Sequence, residues 1–282
     1  MERKRRMIKI MVDSSSDCRK EDGVFDNCIP LTVSIDGREY QAGVDLSADE
    51  FYKLLTSSKD FPKTSQPSPE VFAAEFERIK AVGDEVICLT LSSALSGTYQ
   101  SAMIAKSMVD YAGIYIVDTL GVTHMIGVMA KFAKEQIAAG VPASQIAHQC
   151  EELKGKIKVL AGLDTLEYLY KGGRLRRTSA AVGEIAGIKP IITLTPEGTV
   201  NAGSKAIGIP RAMQAILTKL KNSQLDERFP LYTLCTCGTE NLEVLEKKLA
   251  DAGFESSGRL QVGPTIGAHA GPGVYGVLFV TK

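Results

Sequence analysis

The chain has 282 residues, 44% hydrophobic and 23% charged, with a formal net charge of zero. That balance belongs to a folded globular protein with one large or two ordinary domains. It excludes a broad electrostatic attraction to nucleic acid or to an anionic membrane. The one dense basic run, MERKRRM at residues 1–7, reads as a leader or early start. No apolar region follows it, so a signal peptide is not expected. No stretch approaches the roughly 18 apolar residues of a transmembrane helix. Six cysteines, Cys18, Cys28, Cys88, Cys150, Cys235 and Cys237, are scattered along the chain, and reduced thiols in the cytoplasm are expected. Cys235-Thr236-Cys237 lies in a strand-like run with no second Cys or His pair nearby, so no metal site is expected.

Along the chain, residues 7–12 read as an apolar strand that ends in Asp13-Ser14-Ser15-Ser16-Asp17. Residues 29–35 read as one β-branched strand, turned by Asp36-Gly37 into a hairpin with residues 38–41. Ser47-Ala48-Asp49-Glu50 is a capping box opening a helix to residue 55. Ser68-Pro69-Glu70 places a cap residue before a first-turn proline, so a helix runs to about residue 82. A strand over 86–91, a helix over 97–109 and a strand over 114–117 follow. Helices over 121–139 and 142–154 are separated at Val141-Pro142. A second unit opens with a strand at 157–163 and a short helix at 164–170, stopped by Gly172-Gly173. Strands at 188–194 and 200–206 flank the turn Pro196-Glu197-Gly198. A helix at 211–220, a strand at 231–235, a helix at 240–251 and strands at 260–263 and 274–280 complete the chain. Strands alternating with helices predict α/β layers.

Three polar segments stand out. Leu91 to Ala102, LSSALSGTYQSA, places serine hydroxyls and backbone N–H groups between a strand and a helix N-terminus, a setting suited to a phosphate or carboxylate. It lacks the lysine of a GxxxxGK(S/T) loop, so a nucleotide is not implied. Thr64-Ser65-Gln66-Pro67-Ser68 is a hydroxyl cluster before a helix. Residues 267–273, GAHAGPG, read as a loop carrying His269 between two strands, where the backbone bends sharply or comes close to something. His124 and His148 fall in helical segments and read as packing or surface residues. Thr64, Ser96 and His269 together offer two hydroxyls and an imidazole to a carboxylate. The same residues can be read as a Ser96 nucleophile with a His269 base, although no GxSxG elbow or orienting acid accompanies them.

These segments resemble the DegV family in order and spacing. The marks are Asp13-Ser14-Ser15-Ser16-Asp17, Thr64-Ser65-Gln66-Pro67, LSSALSGTYQSA, Leu166 to Arg174 (LEYLYKGGR), Ile188-Lys189-Pro190-Ile191 and the His269 segment. The resemblance implies two α/β domains, residues 1–156 with a mainly parallel sheet and 157–282 with a mixed sheet, and a lipid tunnel between them. It implies one long-chain fatty acid whose carboxylate meets Thr64 and Ser96 close to His269, with Ser65, Gly97, Ser93 and Arg174 as weaker candidates. Some members serve as the lipid-presenting subunit of a fatty acid kinase, in which a separate kinase converts the bound acid to an acyl-phosphate. One departure bears on that partner: Ile207, in Lys205-Ala206-Ile207, stands where such members resemble one another in carrying arginine.

A buried carboxylate needs compensation, here expected from the helix N-terminus at Ser96-Gly97, the hydroxyls and a protonated His269. Leu163, Leu166, Ile188, Ile191 and Ile266 are tunnel-lining candidates that read equally as plain core. The chain is expected to be a non-catalytic lipid-binding protein with no cofactor. The alternatives are a binding module for a phosphorylated small molecule and a Ser/His acyl hydrolase.

Overall fold

The computed structural model describes residues 6–175 and 187–282, so most of the basic run 1–7 lies outside the described residues. The first strand, β1 (Ile8–Asp13), is mostly apolar and sits inside a parallel sheet. The strand expected over 29–35 is divided. Asn27–Ile29 (β2) pairs with β1, whereas Thr32–Ile35 (β3) belongs to a separate antiparallel sheet. Pro30 has no N–H for a continuing ladder, and the Leu31 N–H donates instead to Ser14 Oγ at 2.9 Å. The expected hairpin follows, with β3 paired to β4 (Arg38–Gln41) through Asp36 and Gly37 at φ 50° and 73°. Two positive φ values in a two-residue turn match the twist of the flanking strands.

Helix α1 (Ala48–Ser57) opens on the expected capping box, Ser47 and Glu50 each accepting from the other's backbone N–H. Strand β5 (Lys63–Ser65) completes the three-stranded sheet beside β3. Helix α2 (Pro69–Val82), β6 (Glu85–Thr90), α3 (Thr98–Val109), β7 (Ile114–Asp118), α4 (His124–Ala138) and α5 (Ala143–Leu153) follow as expected to within a few residues. The parallel sheet runs β2-β1-β6-β7. Its strands are apolar on both faces because both are covered. Met11, Val86 and Cys88 pack with Phe72, Phe76 and Ala105 of α2 and α3. Ile10, Val12, Ile87 and Leu89 face Ile126, Met129 and Ile146 of α4 and α5.

The second half contains β8 (Ile157–Gly162), α6 (Glu167–Lys171), β9 (Ile188–Leu194), β10 (Val200–Ile207), α7 (Ile209–Lys221), β11 (Tyr232–Cys235), α8 (Glu240–Asp251), β12 (Arg259–Gln261), α9 (Pro264–Ala270) and β13 (Tyr275–Val280). Its six-stranded mixed sheet has the order β10-β9-β8-β13-β11-β12, so the last strand of the chain lies inside it. One face carries α7 and α8, packed on Leu160, Val277 and Phe279. The other face, with Val159, Ala161 and Leu278, joins the core of the first half. Ser92 Oγ donates to Gly198 O at 2.9 Å and ties the tip of the β9–β10 hairpin to the LSSALSG loop.

The glycine-rich stretch around His269 is only partly the expected bend: the backbone turns at Gly271 and Gly273, at φ 76° and 77°, but residues 264–270 form α9, with Pro264 in the first turn. Pro is pre-organised for that position. Gly267 is there for close packing, since a Cβ would collide with the Tyr52 hydroxyl and reach 3.0 Å from the Phe51 ring. The second unit's 260–263 strand is also shorter, ending at Gln261. Among the described residues no helix is long and apolar enough to cross a membrane.

Candidate functional site

A cavity of about 370 Å³ lies where the parallel, three-stranded and mixed sheets meet. Its volume falls in the range of small-molecule sites, about 300–1,000 Å³. Most of its wall is apolar, with Leu31, Leu91, Val122, Val159, Leu194, Leu234 and Val274 among its lining. Polar side chains gather at one end: Thr64, Ser65, Gln66, Ser96, Arg174 and His269. Ser65 and Gln66 are also solvent-exposed, so the polar end reaches the surface.

Each polar residue arrives on a different element. Thr64 lies in β5, so what reads as a loop is an edge strand paired with β3. His269 lies in the last turn of α9, and its Nε2 is 2.8 Å from Thr64 Oγ1. Its Nδ1 is buried without a hydrogen-bond partner. A proton on Nδ1 would leave a buried donor unmet, which is rarer than an unmet acceptor. We therefore assign the proton to Nε2, which donates to Thr64 Oγ1 and leaves the threonine O–H to donate into the cavity. Burial, and then the nearby Arg174, push the imidazole down to about 4. That leaves the imidazole neutral near pH 7, whereas the protonated form expected from the sequence belongs with a carboxylate beside it.

Among the described lining residues, the cation is Arg174. Its Nε donates to Leu95 O at 3.1 Å and its Nη1 to Gly172 O at 2.5 Å, which fixes the guanidinium between the LSSALSG loop and the end of α6. Ser96 precedes α3, where its Oγ lies 2.9 Å from Thr98 Oγ1 and accepts from Thr98 N at 3.3 Å. The hydrogen bonds thus join His269 to Thr64 and Ser96 to Thr98, not His269 to Ser96, as a Ser/His dyad requires. Gly97 caps α3 and lets the Gln66 side chain lie over it, where a Cβ would collide with the amide. Ser93 does not join the group: it is exposed, and its N–H donates to Asp118 Oδ1 at 3.1 Å.

The Asp13–Asp17 motif acts behind this end. Asp13 Oδ2 accepts from Leu91 N at 2.7 Å and so anchors the start of the LSSALSG loop. Burial raises Asp13 to about 6, partly offset by hydrogen bonds from Ser15 and Leu91. Asp17 accepts from Thr123 Oγ1 at 2.5 Å, and burial raises it to about 7. Of the five tunnel-lining candidates only Ile266 reaches the cavity. Ile191 faces the α7 side of β9, while Ile192 and Leu194 point to the cavity. A strand's alternation shows that two faces exist, but only its neighbours decide which one is lined by the site. Gln66 and Thr265 also line the cavity without having been singled out from the sequence.

Comparison with known proteins places the chain in context. The family model described as "Uncharacterised protein, DegV family" matches residues 7–282. A DegV domain-containing protein of Caldanaerobacter subterraneus is 37% identical over 98% of this chain and 99% of its own length. A structure described as fatty acid binding of a DegV family protein from Thermus thermophilus superposes with a TM-score of 0.87 at 28% identity, over 98% of this chain and 100% of that one. A stearic acid-binding protein of Eubacterium ventriosum superposes with a TM-score of 0.82 at 26% identity, over 98% and 99%.

Proposed function

This chain belongs to the DegV family, and on that footing we propose that it binds a long-chain fatty acid, carboxylate at the polar end of the cavity and alkyl chain inward. The observation that carries the reading is the convergence of Thr64, Ser96, Arg174 and His269 on one mostly apolar cavity. About 14 methylenes at about 0.8 kcal/mol each give a gross gain of roughly 11 kcal/mol on burial. Ordering and association costs reduce that gain substantially. The tail therefore sets affinity, and the polar end sets orientation and the requirement for an acid. The Thr64 and Ser96 hydroxyls, the α3 N-terminus and the Arg174 guanidinium offset the carboxylate's desolvation.

The same reading extends to presentation of the acid to a separate kinase. Its support is the placement of the polar end at the surface, beside exposed Ser65 and Gln66. Ile207, 64% exposed on β10, offers an alkyl group where kinase-type members are expected to offer arginine. A partner docking there would meet no cation at that position.

The test is denaturing mass spectrometry of a solvent extract of the purified protein, with Ser96→Ala alongside. A stoichiometric long-chain acid, depleted in the variant, is expected. An empty extract with no acid taken up on titration would overturn the proposal and favour a phosphorylated polar ligand.

A further inference from the structure

The cavity wall holds a hydroxyl that the carboxylate site does not use. Thr265 lines the cavity, is 2% exposed, and its Oγ1 has no hydrogen-bond partner. A helical threonine ordinarily returns its hydroxyl to a backbone carbonyl one turn upstream. Here it does not: Oγ1 bonds neither upstream carbonyl, and each of those already accepts another donor. The Gln261 carbonyl accepts from His124 Nε2 at 2.9 Å, and the Val262 carbonyl from the Tyr52 hydroxyl at 2.8 Å. Nearby Thr123 is committed as well, its hydroxyl donating to Asp17. A buried hydroxyl left unmet is costly, and a valine of the same shape would avoid that cost.

Thr265 and His269 are four residues apart on α9 and share a face of the helix, about 6 Å apart along its axis. The oxygen that Thr265 would meet therefore sits on the ligand's chain, a few carbons from the carboxylate. A hydroxyl both donates and accepts, so it satisfies Thr265 in either sense. Resting on the fatty-acid reading above, we infer that Thr265 is a specificity-determining residue that makes this cavity favour a long-chain acid carrying a chain hydroxyl.

The probes are octadecanoic acid and octadecanoic acids with a single hydroxyl at successive carbons from the carboxylate to mid-chain. Affinities are measured by displacement of a fluorescent fatty acid from the wild-type protein, Thr265→Val and Thr265→Ser. One hydroxylated isomer is expected to bind roughly 5- to 10-fold tighter than octadecanoate. Thr265→Ser keeps that preference, whereas Thr265→Val loses it and still binds octadecanoate at least as well. Equal wild-type affinity for every isomer and octadecanoate, the pattern expected if a bound water satisfies Thr265, would overturn the inference alone. So would a preference that survives in Thr265→Val. Binding of none of the acids would overturn the fatty-acid reading beneath it.

Discussion

Thr64 and His269 stand 205 residues apart in sequence and meet at 2.8 Å. One lies on the edge strand of the small sheet, the other on the last turn of a short helix from the opposite end of the chain. With the imidazole donating, Thr64 is oriented to give its own proton to a ligand. The pair thus presents one neutral donor to the cavity, whose described lining also holds the Arg174 guanidinium.

Losing a hydroxyl from this end should discriminate between head groups. Thr64→Val keeps the strand-favouring branch but removes the O–H, and Ser96→Ala removes the other hydroxyl. Each should weaken binding of a long-chain acid about 10- to 100-fold, since hydrogen bonds to charged groups contribute about 1.5–3 kcal/mol. The fatty alcohol of the same length should lose far less. Competitive displacement by the two ligands measures the difference, and equal losses would remove these hydroxyls from the carboxylate site.

Acid binding should take up protons. Burial and Arg174 hold the His269 imidazole down at about 4, and a carboxylate placed beside it pulls that value up. Below neutral pH the complex therefore holds more protons on His269 than the free protein does. Calorimetry in two buffers of unequal ionisation enthalpy should give different apparent heats, more so as pH falls from about 7 towards 5. His269→Gln should shrink that difference. Identical buffer dependence in the variant would separate His269 from the bound anion.

Asp17 should make stability fall as pH rises. Its folded value, raised by burial to about 7 from 3.8, means the folded state holds the proton more tightly than the unfolded chain. The stabilisation is present at low pH and is lost as pH climbs through that interval. Asp13, raised to about 6, adds in the same sense, whereas His269, held low, works oppositely. Comparison with Asp17→Asn isolates the one group, and asparagine tolerates the left-handed backbone at φ 55°. Urea midpoints at about pH 5 and pH 8 should show the variant gaining roughly 1–3 kcal/mol on wild type across that range. A constant difference would contradict the assignment.

Two glycines should respond differently to alanine. At Gly276 a Cβ would collide with the Leu160 carbonyl and come within 2.9 Å of Ala161 Cα, both backbone atoms of the neighbouring strand β8. Gly276→Ala should cost about 1–3 kcal/mol in urea unfolding. At Gly97 the obstacle is the far end of the Gln66 side chain, which can swing away. Gly97→Ala should stay within about 0.5 kcal/mol of wild type while displacing Gln66 from the cavity wall, read as a change in ligand off-rate.

What the sequence revealed follows from how local each cause is. Helix α2 begins at Pro69 after Ser68 and ends at Val82, and α8 spans Glu240–Asp251, as expected, because cap residues and apolar spacing lie within the segments themselves. Pro30 as a strand break is equally local, yet the β-branched residues around it read as one continuous strand. The helix at 264–270 was hidden for another reason: Gly267 answers to Tyr52 and Phe51, more than 200 residues earlier. Thr64, Ser96 and His269 were recognisable as chemistry, and Arg174 as a weaker candidate. The lowered His269 imidazole depends on burial, which no spacing reports. Ile191 and Ile192 show the same limit within a single strand.

The chain's last strand, β13, lies between β8 and β11, with three strands on one side and two on the other. During synthesis the ribosome delivers the middle of this sheet after all five of its neighbours. Until then β8 and β11 present open edges towards each other, and unpaired edges invite association with other chains. The parallel sheet, by contrast, has all its strands by Asp118 and can form while translation continues. Closure of this sheet accordingly waits for β13. A nascent chain halted shortly before Tyr275 would carry a finished first half joined to an unclosed second, and the ligand cavity would lack part of its wall.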